Sequence, residues 1–536
     1  MRIDKHNFFF QYTGLIFALL LINGLVFLYY QNTINKIVGT YVYPLDDTYI
    51  HLAIAKNAAL HNNWGVTQYE FSSTSSSPFY TFVIAVLMKI FGDNDIYPLF
   101  VNIFFGNLII LALNAFIKNK IWFIVCILFL CTPVLLHIQI LSGMEHTAHI
   151  FMILAAFMLF SKLIDSEFSN KKYRIFFLLV TSLLCLTRYE SMFFIVPVLL
   201  ILLLNKQYSL LLSVFISGFL PVLLFGLWSI SNGAFFFPNT LLVKGDIAVN
   251  RGILRIILHY AAKLYRNIYS PIMIGPVVII LLIIIQRFIV EKTNSFNGVI
   301  DLLKKHSLVF ITLATISLHV CFAGIGWLYR YEAYLLSLLY LTLVILFYRN
   351  VSVVKDGMTV MAIAILIIFP AIAQRIRESN NVMELAGKNI HDQQIQMSKF
   401  LGTYYNESMV MANDIGAITY YTNIKLKDLV GLGSSDILVE RKKLGGGGGI
   451  LATALSKYKQ YSLVIIYDSW FEIETETDYE NLGLIKIAEL WIEDNVICGG
   501  NPVSFYTSDE MMVEEMRANM IRFKENVPAD VTIKVF

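Results

Sequence analysis

The sequence predicts a polytopic α-helical membrane protein of about 11 transmembrane helices, carrying a C-terminal extracytoplasmic α/β domain. Three observations support this. Of 536 residues, 57% are hydrophobic and 15% charged, with a mean hydropathy of +0.65, a balance outside the soluble globular classes. Apolar runs recur that approach or exceed the roughly 20 residues needed to cross a bilayer. Charge is also divided along the chain: residues 1–377 hold 27 Lys/Arg against 15 Asp/Glu, and residues 378–536 hold 14 against 23. A basic transmembrane module, 1–377, therefore precedes an acidic tail, 378–536, long enough for one folded domain. The five cysteines show neither CxxC nor metal-ligand spacing, so no disulfide framework is implied.

The first apolar run, 8–30, is too long for a cleaved signal and lacks a small-residue cleavage site, so it reads as an anchor. An outer loop, 31–96, follows. In it Asp46 and Asp47 open a short helix whose apolar residues are Tyr49, Ile50, Leu52, Ile54 and Ala55. Adjacent carboxylates suit the positive end of a helix, so the pair reads either as a cap or as a reactive site. The run 79–91 is short for a span and reads as an interfacial or re-entrant helix. Further spans are expected at 97–117, 121–139, 147–161, 175–187, 191–204, 207–231, 271–286, 307–328, 331–348 and 357–374.

With the N-terminus inside (Arg2, Lys5), the inner loops carry Lys118 and Lys120, Lys162 to Arg174, Lys206, Arg287 to Lys305, and Arg349 with Lys355. Every inner loop is basic, as the positive-inside rule requires, and the acidic tail falls outside. The same outer face then receives Asp46/Asp47, the Ser142–His146 stretch with Glu145, Arg188-Tyr189-Glu190, the loop 232–270 and Arg330-Tyr331-Glu332. Charges at span ends can be plain interfacial anchors, but charges at membrane depth are costly and tend to be kept for function. Around Arg188 and Glu190 either the chain emerges or the pair is embedded; both put a cation at the upper membrane. In the loop 232–270, Asn239 and Lys244 follow an aromatic stretch. Residues 251–269 read as an amphipathic helix with Arg251, Arg255, Lys263 and Arg266 meeting anionic headgroups.

In the tail, strand-like runs at 408–418, 427–432, 462–467 and 503–506 are separated by helical patterns at 395–404 and 451–458, which suggests a small α/β domain. The five glycines Gly445–Gly449 read as a flexible loop, since they lack the strand–turn–helix context of a nucleotide fingerprint. No nucleotide cofactor and no nucleic-acid partner are expected.

Group transfer outside the cytoplasm calls for a lipid-linked donor. It needs a carboxylate to take a proton from the acceptor hydroxyl, and cations or a metal to stabilise the departing phosphate. Asp46 and Asp47 supply the first, and Arg188, Lys244 and Arg330 the second, arginine being suited to bidentate contact with phosphate.

The order of motifs resembles the GT-C glycosyltransferases, integral membrane enzymes that use polyprenyl-phosphate sugars, and among them the cell-wall arabinofuranosyltransferases. The carrying residues are Leu45-Asp46-Asp47-Thr48-Tyr49-Ile50-His51, Ser72 to Pro78, Ser142-Gly-Met-Glu145, Leu186-Thr-Arg188-Tyr-Glu190, Pro238-Asn239-Thr240 and Asn413 to Tyr421. The resemblance implies inverting transfer to an envelope glycan or glycolipid at the outer face of the cytoplasmic (inner) membrane. A carboxylate of the Asp46/Asp47 pair would be the base, with His51, Glu190 and Asn239 supporting. Glu145 and His146 could help hold a divalent metal (Mg, Mn or Ca). Where relatives often show Arg-Pro-Glu, this chain has Arg188-Tyr189-Glu190. Two rivals share part of the pattern: a transporter or flippase of lipid-linked sugars, and a non-catalytic envelope-glycan-binding protein. The first would need polar residues through the middle of its spans, and none are evident.

Overall fold

The computed structural model describes residues 5–37, 39–244, 262, 271–290, 296–349 and 354–536. Arg2, Lys292 and the basic residues Arg251, Arg255, Lys263 and Arg266 of the expected amphipathic helix lie outside the described residues.

A helix lies at each expected span position. Among the described residues four helices are long and apolar enough to cross a membrane: α1 (Lys5–Lys36), α4 (Tyr97–Phe116), α7 (His146–Asp165) and α10 (Tyr208–Ser231). Between them lie α2 (Asp46–His61), α3 (Pro78–Phe91), α5 (Lys120–Cys131), α6 (Leu136–Leu141), α8 (Lys171–Thr187) and α9 (Met192–Leu204). The chain is a polytopic helical membrane protein.

Local chemistry sets the boundaries. Ser77 accepts from the Tyr80 amide and Pro78 opens α3, where a missing N–H costs nothing. Asn119 and Asn170 cap α5 and α8 in the same way. The expected span 121–139 is two pieces, because the chain turns at Leu135 in the left-handed region (φ 57°) between α5 and α6. The expected span 307–328 also stops early. Its helix is Ser307–Phe322, which meets Gly298–Lys305 at a bend of 88°. The segment 357–374 belongs to one helix, Val354–Ile390, that runs through the expected domain boundary at 377.

The C-terminal part is an α/β unit around a six-stranded sheet of order β2-β1-β3-β5-β4-β6. The strands are β1 (Met409–Ala412), β2 (Lys425–Asp428), β3 (Leu463–Ile466), β4 (Ile485–Ile492), β5 (Val503–Thr507) and β6 (Val531–Val535). The first three pair in parallel and the rest antiparallel. The strand expected at 408–418 ends at Ala412, and the helix Gly416–Tyr421 replaces its second half. The glycine run is not a plain loop either: Gly445 closes the helix Ser435–Leu444, and Gly448 opens the helix Gly448–Lys457.

This unit is seated on the loop that follows α1, residues 39–96. Lys56 Nζ bonds the Tyr420 carbonyl at 2.9 Å, and the Tyr420 and Tyr421 hydroxyls each donate at 2.8 Å to Asp93 and Asp95. Thr74 Oγ1 donates to the Leu432 carbonyl at 2.8 Å. The acidic 92–95 loop and the α/β unit therefore occupy one face of the helical module.

Candidate active site

Asp46 and Asp47 start α2 side by side but face different partners. Asp46 is buried and accepts from the amides of Gly416 at 2.6 Å and Ala417 at 2.8 Å. A β-carbon at Gly416 would lie 2.1 Å from the Asp46 carbonyl oxygen, so the approach requires glycine. Asp46 is also hydrogen-bonded to Asp414, whose Oδ2 accepts from Gln394 Nε2 at 2.6 Å and from the Tyr467 hydroxyl at 2.9 Å. Burial raises the Asp46 carboxyl above its ordinary 3.8, against the lowering pull of the bonds from Asp414, Ala417 and Gly416. Burial and the neighbouring Asp46 charge push Asp414 well above 3.8. Two carboxyls in contact away from water cannot both ionise, so the pair shares a proton, held mainly by Asp414.

Asp47 turns the other way. Its side chain is 26% exposed, and its Oδ2 lies 2.5 Å from Arg330 Nη2. The Arg330 side chain is 2% exposed. Its Nη2 also donates to the Tyr331 hydroxyl at 3.1 Å, while Nε and Nη1 have no hydrogen-bond partner among the described residues. Buried guanidinium N–H groups without acceptors are unfavourable, and an anion beside them would satisfy both.

A second cluster stands next to this one. Glu145, fully buried, accepts from Arg188 Nη1 at 2.6 Å and from Ser76 Oγ at 2.9 Å. Its other oxygen is 3.3 Å from His51 Nε2, and His51 Nδ1 meets Thr81 Oγ1 at 2.7 Å. Arg188 also reaches His146 Nε2 at 2.9 Å and holds Glu190 in a two-point contact of 2.5 and 3.2 Å. The ring of Tyr331 joins the two clusters, with the Arg330 guanidinium 5.0 Å and the Arg188 guanidinium 5.7 Å from its centre.

Glu145 and His146 do not fit a metal in this arrangement, because the Arg188 guanidinium lies where a cation would be shared between them. Among the described residues no group of three or more His, Cys, Asp or Glu side chains is placed to hold a metal ion. Asn239 is buried apart from these clusters: its amide donates to the Ser73 carbonyl at 2.7 Å and its side chain to the Leu432 carbonyl at 3.0 Å. Lys244 ends the short helix α11 (Asn239–Lys244), and its side chain lies outside the described residues.

Residue reasoning missed the joining role of Tyr331, the bond from Ser76, and the Asp414–Gln394–Tyr467 set. Ser76 and Asp414 sat inside recognised motifs. Gln394 and Tyr467 carried no signal of their own.

The architecture that holds these groups is shared by solved membrane-protein structures. ArnT from Cupriavidus metallidurans, bound to undecaprenyl phosphate, matches with a TM-score of 0.52 and 10% identity over 93% of this chain and 98% of that one. The archaeal oligosaccharyltransferase AglB from Archaeoglobus fulgidus, in complex with an inhibitory peptide and a dolichol-phosphate, matches with a TM-score of 0.50 and 13% identity over 98% of this chain and 75% of that one. A family model described as a domain of unknown function (DUF8728) matches residues 388–506. No curated protein sequence matches the chain.

Proposed function

We propose that the protein is a glycosyltransferase that moves a sugar from a polyprenyl-phosphate donor to an envelope glycan or glycolipid. The membrane module, 1–377, and the α/β domain, 378–536, would meet at the outer face of the cytoplasmic membrane, with the N-terminus inside and eleven crossings. The observation that carries this reading is Arg330: a buried guanidinium with two nitrogens unpartnered among the described residues, ion-paired to a part-exposed carboxylate. That juxtaposition suits a leaving phosphate beside a base. The polyprenyl phosphates bound to ArnT and AglB, which share the fold, support the donor class.

In this mechanism Asp47 takes the proton of the acceptor hydroxyl. The acceptor oxygen attacks the anomeric carbon from the side opposite the phosphate, a new C–O bond forms, and the bond to the phosphate oxygen breaks. The electron pair leaves on polyprenyl phosphate, whose charge Arg330 Nε and Nη1 stabilise. One displacement inverts the anomeric centre. Arg188, already neutralised by Glu145 and Glu190, holds the wall of the site through Tyr331, and His51 and Ser76 fix Glu145 in place. Asp46 has no part in proton transfer, since its oxygens are committed to the α/β domain.

The test is release of polyprenyl phosphate from a panel of polyprenyl-phosphate sugars with an envelope glycan extract as acceptor. Wild type should turn over at least one donor, and Asp47→Asn should lose about 100-fold or more in kcat, the scale of general-base catalysis. Arg330→Lys should raise KM for the donor, because the forked donor set is gone. Equal turnover by wild type and Asp47→Asn would remove Asp47 from the chemistry.

A further inference from the structure

We propose that a polar cleft between the first outer loop and the α/β unit binds an uncharged, hydroxyl-rich glycan. The proposal rests on the transferase reading only in calling that glycan the part of the acceptor next to the reacting unit. The cleft has a volume of about 260 Å³, and its walls include Glu70, Phe71, Asn232, Lys427, Ser435 and Asp436. Four parts of the chain meet there: the segment before the Ser72–Pro78 motif, the turn after α10, strand β2 with Lys427, and the start of the helix Ser435–Leu444.

Its chemistry is that of a sugar site. Lys427 is buried, with Nζ 2.9 Å from Asp436 Oδ2 and 4.4 Å from the centre of the Tyr458 ring. An ammonium held this firmly stays in one orientation. The Glu70 side chain stands in the field of both Lys427 and Asp436, and Phe71 stands edge-on against Trp228 at 5.1 Å. Acceptors, a fixed donor and an aromatic wall match a pyranose, whose hydroxyls both donate and accept and whose C–H face is apolar. Two carboxylates against one ammonium disfavour an anion, and the polar walls disfavour an alkyl chain.

The cleft is also tied to the reacting groups. Asn239 bonds Ser435 Oγ at 3.2 Å on the cleft side and the Ser73 carbonyl on the other. The five-residue path from Phe71 to Ser76, which bonds Glu145, spans at most about 18 Å. The cleft wall is therefore joined to the Glu145 cluster by one short stretch of chain.

The experiment is ligand-observed NMR of the full-length protein in detergent. The probes are millimolar methyl glycosides of glucose, galactose, mannose, N-acetylglucosamine and arabinose, with their 6-sulfated forms where available. Wild type and Asp47→Asn should bind at least one neutral glycoside. Ala234→Trp, which fills the cleft from its edge, should weaken that binding tenfold or more, and Glu70→Gln, an exposed change of equal shape, severalfold. No neutral glycoside bound by wild type, binding confined to the sulfated forms, or unchanged binding in Ala234→Trp and Glu70→Gln would overturn the proposal. Donor release measured in parallel separates the two readings. Glycoside binding without release from any donor would leave the cleft as a glycan site and remove the transferase. Release without glycoside binding would remove the cleft alone.

Discussion

Successive residues of a helix point about 100° apart, so neighbours at the start of α2 look into different surroundings. Asp46 looks into protein and Asp47 toward the part-exposed site, and the same functional group becomes a joint in one case and a candidate base in the other. Asp46→Asn leaves one of two buried amides without an acceptor and should cost about 1–3 kcal/mol of stability, read as a lowered melting temperature. Asp414→Asn should be far milder, because an amide N–H can replace the shared proton.

That proton also sets a pH dependence. The native pair keeps it above the ordinary value of 3.8, whereas an unfolded chain has released it. Stability from this contact is therefore fully present below 3.8 and falls as pH rises through the raised Asp414 value. Thermal melts across pH should show that slope in wild type and a flatter one in Asp414→Asn. The sequence made the Asp46/Asp47 pair legible but not its division of labour. What decides between the two lies far along the chain, in two amides that no local pattern announces.

At the scale of elements, the connection between the helices Ser307–Phe322 and Ala333–Arg349 decides where Arg330 sits. Gly326, Trp327, Leu328 and Tyr329 all have positive φ, at 87°, 47°, 55° and 58°. Each non-glycine residue in that region costs about 1–2 kcal/mol, so this left-handed turn needs an external hold. Glu332 supplies it, accepting from the Gly326 amide at 2.8 Å and from Arg375 Nη2 at 2.8 Å, while Arg375 Nε bonds the Pro133 carbonyl at 2.9 Å. Arg375→Met should loosen the turn and raise donor KM several-fold while leaving the rate at saturation nearer wild type. Arg375→Lys, which keeps a cation beside Glu332, should retain part of the wild-type binding; no change in KM for Arg375→Met would remove the turn from donor binding. Hydropathy carried the first of these spans on to residue 328, because Trp and Leu are as apolar in a turn as in a helix. The apolar helices themselves were readable, and their breaks at Leu135 and after Phe322 were not.

For the whole molecule, the α/β unit is part of the site and not an appendage, since its Gly416–Tyr421 helix carries the amides that hold Asp46. Gly416→Ala, whose methyl would collide with Asp46, should lift that helix from α2. Hydrogen exchange should rise together in both segments while the transmembrane helices stay protected. Exchange confined to the Gly416 helix would mean the two are less closely joined. The sequence showed an acidic, domain-sized tail and several of its strands. It did not show β4 and β6, nor that the tail closes on the first outer loop, because register and docking depend on partners far apart in sequence.

Gly416 follows Asp46 by 370 residues, and the bond between them has an order in time. During synthesis the membrane helices are laid down first, and the loop bearing both aspartates waits without its counterpart. Only when more than 416 residues have been made does the α/β unit reach back to complete the first loop. A candidate site built this way stays incomplete until the α/β unit has been made, and a chain cut short anywhere before Gly416 leaves Asp46 without its two amides.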